Sequence, residues 1–174
     1  VAVMRGQCVH VVGDTIVDAL LYCDMVGANA KTPTISVRRD RREEFVGGAA
    51  VVAKHARAAG ASVTLTTVLG DDLAGKFVMD DLTISGVHVY PVVDRARPTT
   101  VKEAVVVGGY RLLKIAAVDN RPVVGTTLRW LVDEVAKTPL ATVFSDFRNG
   151  IFHGYSTPAL TAAIPAGCFR AADS

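Results

Sequence analysis

Cysteine is scarce in this chain, with three among 174 residues. Cys8, Cys23 and Cys168 are odd in number and far apart, with no C-x-x-C pair and no paired histidine spacing, so they do not make a metal site. Cys8 lies in an apolar stretch and reads as a small core residue, which fits a reducing compartment. His10, His55, His88 and His153 are scattered, and no metal cluster is expected. Long apolar runs are also missing. None approaches the ~18 residues of a membrane span, and the start of the chain lacks a signal-peptide layout, so no membrane association and a cytoplasmic location are expected. A charge excess is absent as well, the formal net charge being +2. Basic residues are dispersed except in the run RRDRR at Arg38 to Arg42, and a nucleic-acid partner would call for a more concentrated footprint. That run alternates with Asp40 and leads into Glu43 and Glu44; it reads first as a solvated strand or turn and second as a polyanion site. There is no internal repeat, low-complexity tract or long linker.

What is present is apolar substance. Half the residues are hydrophobic and 21% are charged, enough for one substantial core. Short segments rich in Val, Thr and Leu at Cys8 to Val12, Val63 to Leu69, Val87 to Pro91 and Ala141 to Ser145 have the composition of buried parallel strands. Helical segments fall between them. Ala49 to Ala59 ends at Gly60, and Asp72 to Ser85 opens on acidic residues and stops at Gly86. Thr126 to Lys137 places Leu128, Leu131, Val132 and Val135 on one face with Pro139 beyond its end, and a fourth helix runs from about Thr157 to Ile164. This alternation predicts an α/β fold: a mostly parallel sheet with helices on both faces.

Two segments fall outside the alternation. Residues 34–45 and 100–115 are strand-like, and Gly108-Gly109 in the second is a two-residue hairpin turn, so a small accessory β lid is predicted. Val105, Val106 and Val107 do not alternate, so both faces of the hairpin should touch something. A homodimer through this sheet is one expectation.

Chemistry gathers where VVGDTIVDALLYCD passes from a strand to the carboxylates Asp14 and Asp18, and where FVGGAAVVAKHARAAGA opens a helix behind Gly47 and Gly48. Acidic residues beyond a strand of an open α/β sheet offer acceptors to ligand hydroxyls, and glycines let a ligand approach the backbone. Asp18 also reads as a turn or cap residue, Asp14 as a turn residue, and the glycine pair as a permissive loop.

The order of these pieces resembles the ribokinase-like (PfkB) carbohydrate kinase family, with heptose-phosphate kinases closest. LTTVLGDDLAGKFVMDDLTISGVHV is similar to the family's strand, G-x-D-x-x-G loop, helix and following strand. PTTVKEAVVVGGYRLLKIAAVDNRP looks like its substrate-covering hairpin, and VFSDFRNG resembles the next strand with its acidic end. The resemblance implies a ribokinase-like fold and ATP-dependent phosphorylation of a sugar or sugar phosphate, with Mg²⁺. It implies substrate binding by Asp14, Asp18, Gly47, Gly48, Thr100, Lys102 and Asp146, with Arg111 and Lys114 as further basic residues toward a phosphate. In some family members the lid clasps that of a partner. Val51 stands where the family usually carries Asn, and Asn149 where it often has Lys. The family's ATP site and catalytic Asp, in a G-A-G-D motif, have no match here. Residues 1–174 therefore read as the substrate-binding N-terminal part of such a kinase, with no catalytic residue of their own, and the chain alone is expected to be inactive.

Two other functions compete. A non-catalytic module could bind a sugar or dimerise through the lid. A dinucleotide-binding oxidoreductase is suggested by GGAAVVAKHARAAG, but no G-x-G-x-x-G follows the first strand.

Overall fold

A computed structural model describes residues 3–29, 31, 33–138 and 140–174. In chain order the described elements are β1 (Cys8–Gly13), β2 (Thr15–Asn29), β3 (Thr34–Gly48), α1 (Ala49–Ala58), β4 (Ser62–Leu69), α2 (Leu73–Ile84), β5 (His88–Val93), β6 (Thr100–Val107), β7 (Tyr110–Ala117), α3 (Gly125–Val135), β8 (Ala141–Ser145), α4 (Ser156–Ala163) and β9 (Phe169–Asp173). Pro139, expected just past α3, lies outside the described residues.

Five strands form one sheet in the order β5-β4-β1-β8-β9, and every pairing in it is parallel. Such strands are covered on both faces and read as continuous apolar runs. β1 shows the division. Val9 and Val11 join Leu65, Val78 and Leu82 in the core on the α1 and α2 side. Val12 joins Leu131, Val135 and Leu160 on the α3 and α4 side. Each fully buried valine or leucine contributes ~1.5–3 kcal/mol, so this two-sided core supplies most of the stabilisation of the body. The one polar residue inside β1 is His10, whose ring lies 2.7 Å from Thr138 Oγ1 and 2.8 Å from Thr66 Oγ1. Burial lowers its pKa to about 4.

The G-x-D-x-x-G loop is a joint between body and lid. Asp72 caps α2 by accepting from the Gly75 amide at 2.7 Å, and its other oxygen accepts from the Thr99 amide at 2.8 Å. Thr99 immediately precedes β6, and its hydroxyl accepts from the Gly70 amide at 2.9 Å. These hydrogen bonds to the charged form hold the Asp72 carboxyl below its ordinary pKa, although its burial opposes them.

The lid is a four-stranded sheet in the order β3-β2-β6-β7. It differs from the expectation in its bounds and in one strand. The first predicted segment extends to Gly48, the second, whose predicted hairpin is β6 and β7, reaches Ala117, and β2 was not anticipated as a lid strand. β2 escapes a period-two reading because Ala19 to Cys23 run without polar alternation and Val26 is an extra residue opposite β3, which itself carries an extra residue at Asp40. The hairpin turn is as predicted: Gly108 and Gly109 have φ of 55° and 84°, the paired positive values a two-residue turn requires. Val105 and Val106 are both buried within the single chain. Opposite them β7 bulges, pairing Val105 with Leu113 and Val106 with Arg111, so that Leu112 is the extra residue.

Candidate functional site: the lid face above the centre of the sheet

β1 is where the strand order turns, because β4 lies on one side of it and β8 on the other. Ligands of open α/β sheets sit beyond the carboxyl ends of the strands at such a point. Asp14 is the first residue past β1, and its carboxylate is already engaged. Oδ2 accepts from the amides of Phe147 at 3.0 Å and Asn149 at 3.1 Å, and Oδ1 from that of Ile151 at 3.4 Å. Burial pushes the Asp14 pKa up and the three amides pull it back, the balance lying above its ordinary value. Asp14 thus closes the loop after β8. Asp146 lies in the same loop and accepts from the Arg148 amide at 2.7 Å, shaping a turn in which Arg148 takes a φ of 60°.

The glycine pair is fitted to both carboxylate positions. Gly48 has φ 61° and ψ −138°. A Cβ there would lie 2.2 Å from the Asp14 carbonyl oxygen, which also receives the first amide of α1, from Ala49, at 2.9 Å. A Cβ on Gly47 would lie 2.4 Å from Asp18 Oδ2, so the missing side chain makes the space that the Asp18 carboxylate occupies.

Asp18 itself is in β2, within the lid, and not in a turn. The register sets Phe45, Asp18, Lys102 and Ala116 side by side across the four strands. Two residues farther along, on the same face, Leu20, Ala104 and Lys114 are neighbours. The bulge at Leu112 then turns Arg111 to this face too, although an odd spacing from Lys114 would put it on the other. A cavity of about 400 Å³ lies here, lined by Asp18, Leu20, Phe45, Lys102, Arg111 and Lys114. Elsewhere on the lid, charges are paired within the chain: Arg38 with Asp24 at 2.8 Å, Arg41 with Glu43 at 3.0 Å, and Arg42 with Glu103 at 2.7 Å. Among the described residues Asp18, Lys102, Arg111 and Lys114 have no such partner. RRDRR is therefore largely a self-neutralised, solvated strand.

Of the residues predicted from sequence, Asp18, Gly47, Thr100 and Lys102 share this lid face, while Asp14, Gly48 and Asp146 stand at the end of the body. Phe45 went unnoticed as a lining residue, because its neighbour across the sheet belongs to the unanticipated strand β2.

Residues 7–137 match the pfkB family carbohydrate kinase model. The chain belongs to that family. The bifunctional protein HldE of Caulobacter vibrioides is 29% identical over 96% of this pfkB chain and 33% of its own length. The D-beta-D-heptose 7-phosphate kinase of Bordetella bronchiseptica is 36% identical over 62% of the chain and 34% of its own length. The chain thus spans about a third of the length of these curated relatives. Among solved structures, the tetrameric inhibited form of phosphofructokinase-2 from Escherichia coli aligns with a TM-score of 0.74 at 18% identity, covering 97% of the chain and 54% of that protein. A putative phosphofructokinase from Staphylococcus aureus aligns with a TM-score of 0.74 at 12% identity, covering 97% and 53%. The fold of this pfkB chain is ribokinase-like. Among its described residues no helix is long and apolar enough to cross a membrane, and no group of three His, Cys, Asp or Glu is placed to hold a metal ion.

Proposed function

We propose that this protein transfers a phosphoryl group from ATP, with Mg²⁺, to a hydroxyl of a sugar or sugar phosphate, and that the lid cavity holds the acceptor. The observation that carries this is the unpaired Asp18 carboxylate facing a cavity shared with the unpaired Lys102, Arg111 and Lys114. A carboxylate accepts hydrogen bonds from sugar hydroxyls, and charge-assisted bonds are the stronger kind. Three cations on one face suit a phosphate already on the sugar, with arginine able to grip it at two points and lysine acting as a point charge. The naming of one relative as a heptose 7-phosphate kinase supports a sugar phosphate over a free sugar.

The described residues do not themselves make a site for ATP and Mg²⁺. No metal-ligating group of three is present among them, and the first amide of α1 is bonded to Asp14. ATP would supply the phosphoryl group; this chain binds and orients the acceptor and assigns no base. An Asp18→Ala variant is expected to bind the sugar phosphate ~1.5–3 kcal/mol more weakly, the range for a hydrogen bond to a charged group. Titration calorimetry with a panel of hexose and heptose phosphates checks this, and equal affinity of variant and parent would remove Asp18 from the site. If the protein binds a sugar but no phosphoryl transfer to it is detected in an ADP-release assay, the non-catalytic sugar-binding reading takes its place.

A second reading concerns assembly. β7 is an edge strand of the lid, and Tyr110, Leu113 and Ile115 on it are exposed, whereas the other edge, β3, carries paired charges of the kind that discourage edge pairing. We assign the apolar face of this strand, opposite to the one bearing Arg111 and Lys114, to a twofold contact with a second copy. Val105 and Val106 are too buried to probe it; Leu113→Glu is the suitable variant. Light scattering is expected to give a dimer for the parent and a monomer for the variant, and a parent already monomeric at high concentration refutes the contact.

A further inference from the structure

Four buried side-chain polar atoms among the described residues have no hydrogen-bond partner: Thr15 Oγ1, Thr142 Oγ1, Ser145 Oγ and Asn149 Nδ2. An orphaned polar atom of this kind costs free energy unless something outside the chain satisfies it. Two of the four line one crevice. Thr15 and Asn149, 3% and 8% exposed, meet there with Asp14, Arg97, Thr100 and Asp119. The crevice lies past the carboxyl ends of β1 and β8, on opposite sides of which the sheet order diverges, and its open volume of about 10 Å³ admits one water-sized atom.

The charged groups around it are already satisfied within the chain. The Asp14 carboxylate accepts from three amides. Asp119 is held by Arg121, whose Nε and Nη2 approach its two oxygens at 2.9 and 2.5 Å. Arg97 donates to the carbonyls of Asp119, Asn149 and Arg121 at 3.5, 3.4 and 3.0 Å and to the Asp94 carboxylate at 3.3 Å. An anion would meet Asp14 and Asp119, and a cation would meet the amide hydrogens of Asn149. What remains unmet is the side-chain amide nitrogen of Asn149, which donates, and the Thr15 hydroxyl, which both donates and accepts. That pair fits a single neutral hydroxyl oxygen.

We infer that Thr15 and Asn149 bind one hydroxyl group of the sugar acceptor in this crevice, as specificity-determining contacts separate from the Asp18 cavity. This rests on the sugar-kinase reading above. The lid face connects the two places: Thr100, in the crevice wall, is two residues before Lys102 on the same side of β6. A sugar over Asp18 can therefore direct a hydroxyl into the crevice, and a water molecule is the other source of the same oxygen.

Titration calorimetry of the parent with the best-bound sugar or sugar phosphate and with each of its monodeoxy analogues tests the inference. One analogue is expected to bind the parent about 10-fold more weakly, as for the loss of one neutral hydrogen bond. In Thr15→Val, which keeps the shape, and in Asn149→Leu, the sugar and that analogue are expected to bind alike. Ligand-free melting temperatures show whether each variant is folded, and the analogue series on the parent stands even if one is not. If both folded variants bind the sugar as the parent does, or if the parent does not discriminate against any monodeoxy analogue, the crevice holds only a water molecule and the inference is overturned. If the parent binds no sugar at all, the sugar-kinase reading fails and carries this one with it.

Discussion

Replacing Asp14 with Ala is expected to destabilise the fold by roughly 3–5 kcal/mol, because each buried amide left without its acceptor costs ~1–3 kcal/mol and three are involved. The sum would be larger if the carboxylate were without cost in place. It is not: burial raises its pKa, so removing the charge recovers part of the loss. Asp14→Asn retains one acceptor oxygen and should fall between parent and alanine. Urea denaturation of the three proteins reads the effect directly. A loss below about 1 kcal/mol for Asp14→Ala would mean that the amides of Phe147, Asn149 and Ile151 find other partners.

His10 makes the fold sensitive to acid. Its pKa falls from 6.5 to about 4 because the ring is buried, and Glu134 offsets this only partly. A depressed value in the folded state means that the unfolded chain binds the proton more readily. The neutral ring thus contributes stability that is fully present above the unfolded value and is lost as pH falls from 6.5 toward about 4. The loss at the lower end is about 3 kcal/mol. Asp14 titrates with the opposite sign, its raised pKa favouring the fold on protonation, so the raw pH profile mixes the two. The difference between parent and His10→Gln separates them, since Asp14 is common to both. Denaturation near pH ~7 and pH ~4 should show the parent losing about 3 kcal/mol more than the variant, and parallel losses would mean that His10 is charged inside the fold.

The body of the fold was legible because its strands and helices obey simple periods. β8 matches the predicted Ala141 to Ser145, and α1 and α2 end where Gly60 and Gly86 take positive φ. The lid was harder, for a reason visible in particular residues. Leu112 in β7, Asp40 in β3 and Val26 in β2 are extra residues that break the two-residue repeat, and with it the only signal of which side chains share a face. Arg111 and Lys114 are three apart, so no alternation rule puts them on one side. Asp14 was noticed for its place after a strand, but its three amide partners lie more than 130 positions away, and no local pattern reports a contact of that separation.

The parallel pairing of β2 with β6 has a consequence for how the chain assembles. The β2–β3 and β6–β7 pairs are each local and can form early, but Ile16 meets Thr100 only after α1, β4, α2 and β5 have been threaded between them. Closing so long a loop is entropically costly, and it becomes favourable only when the intervening helices have packed on their sheet. The two hairpins should therefore dock late and together. Until they do, Asp18 and Lys102 belong to separate pieces of the molecule, and the site comes into existence in the last step of folding.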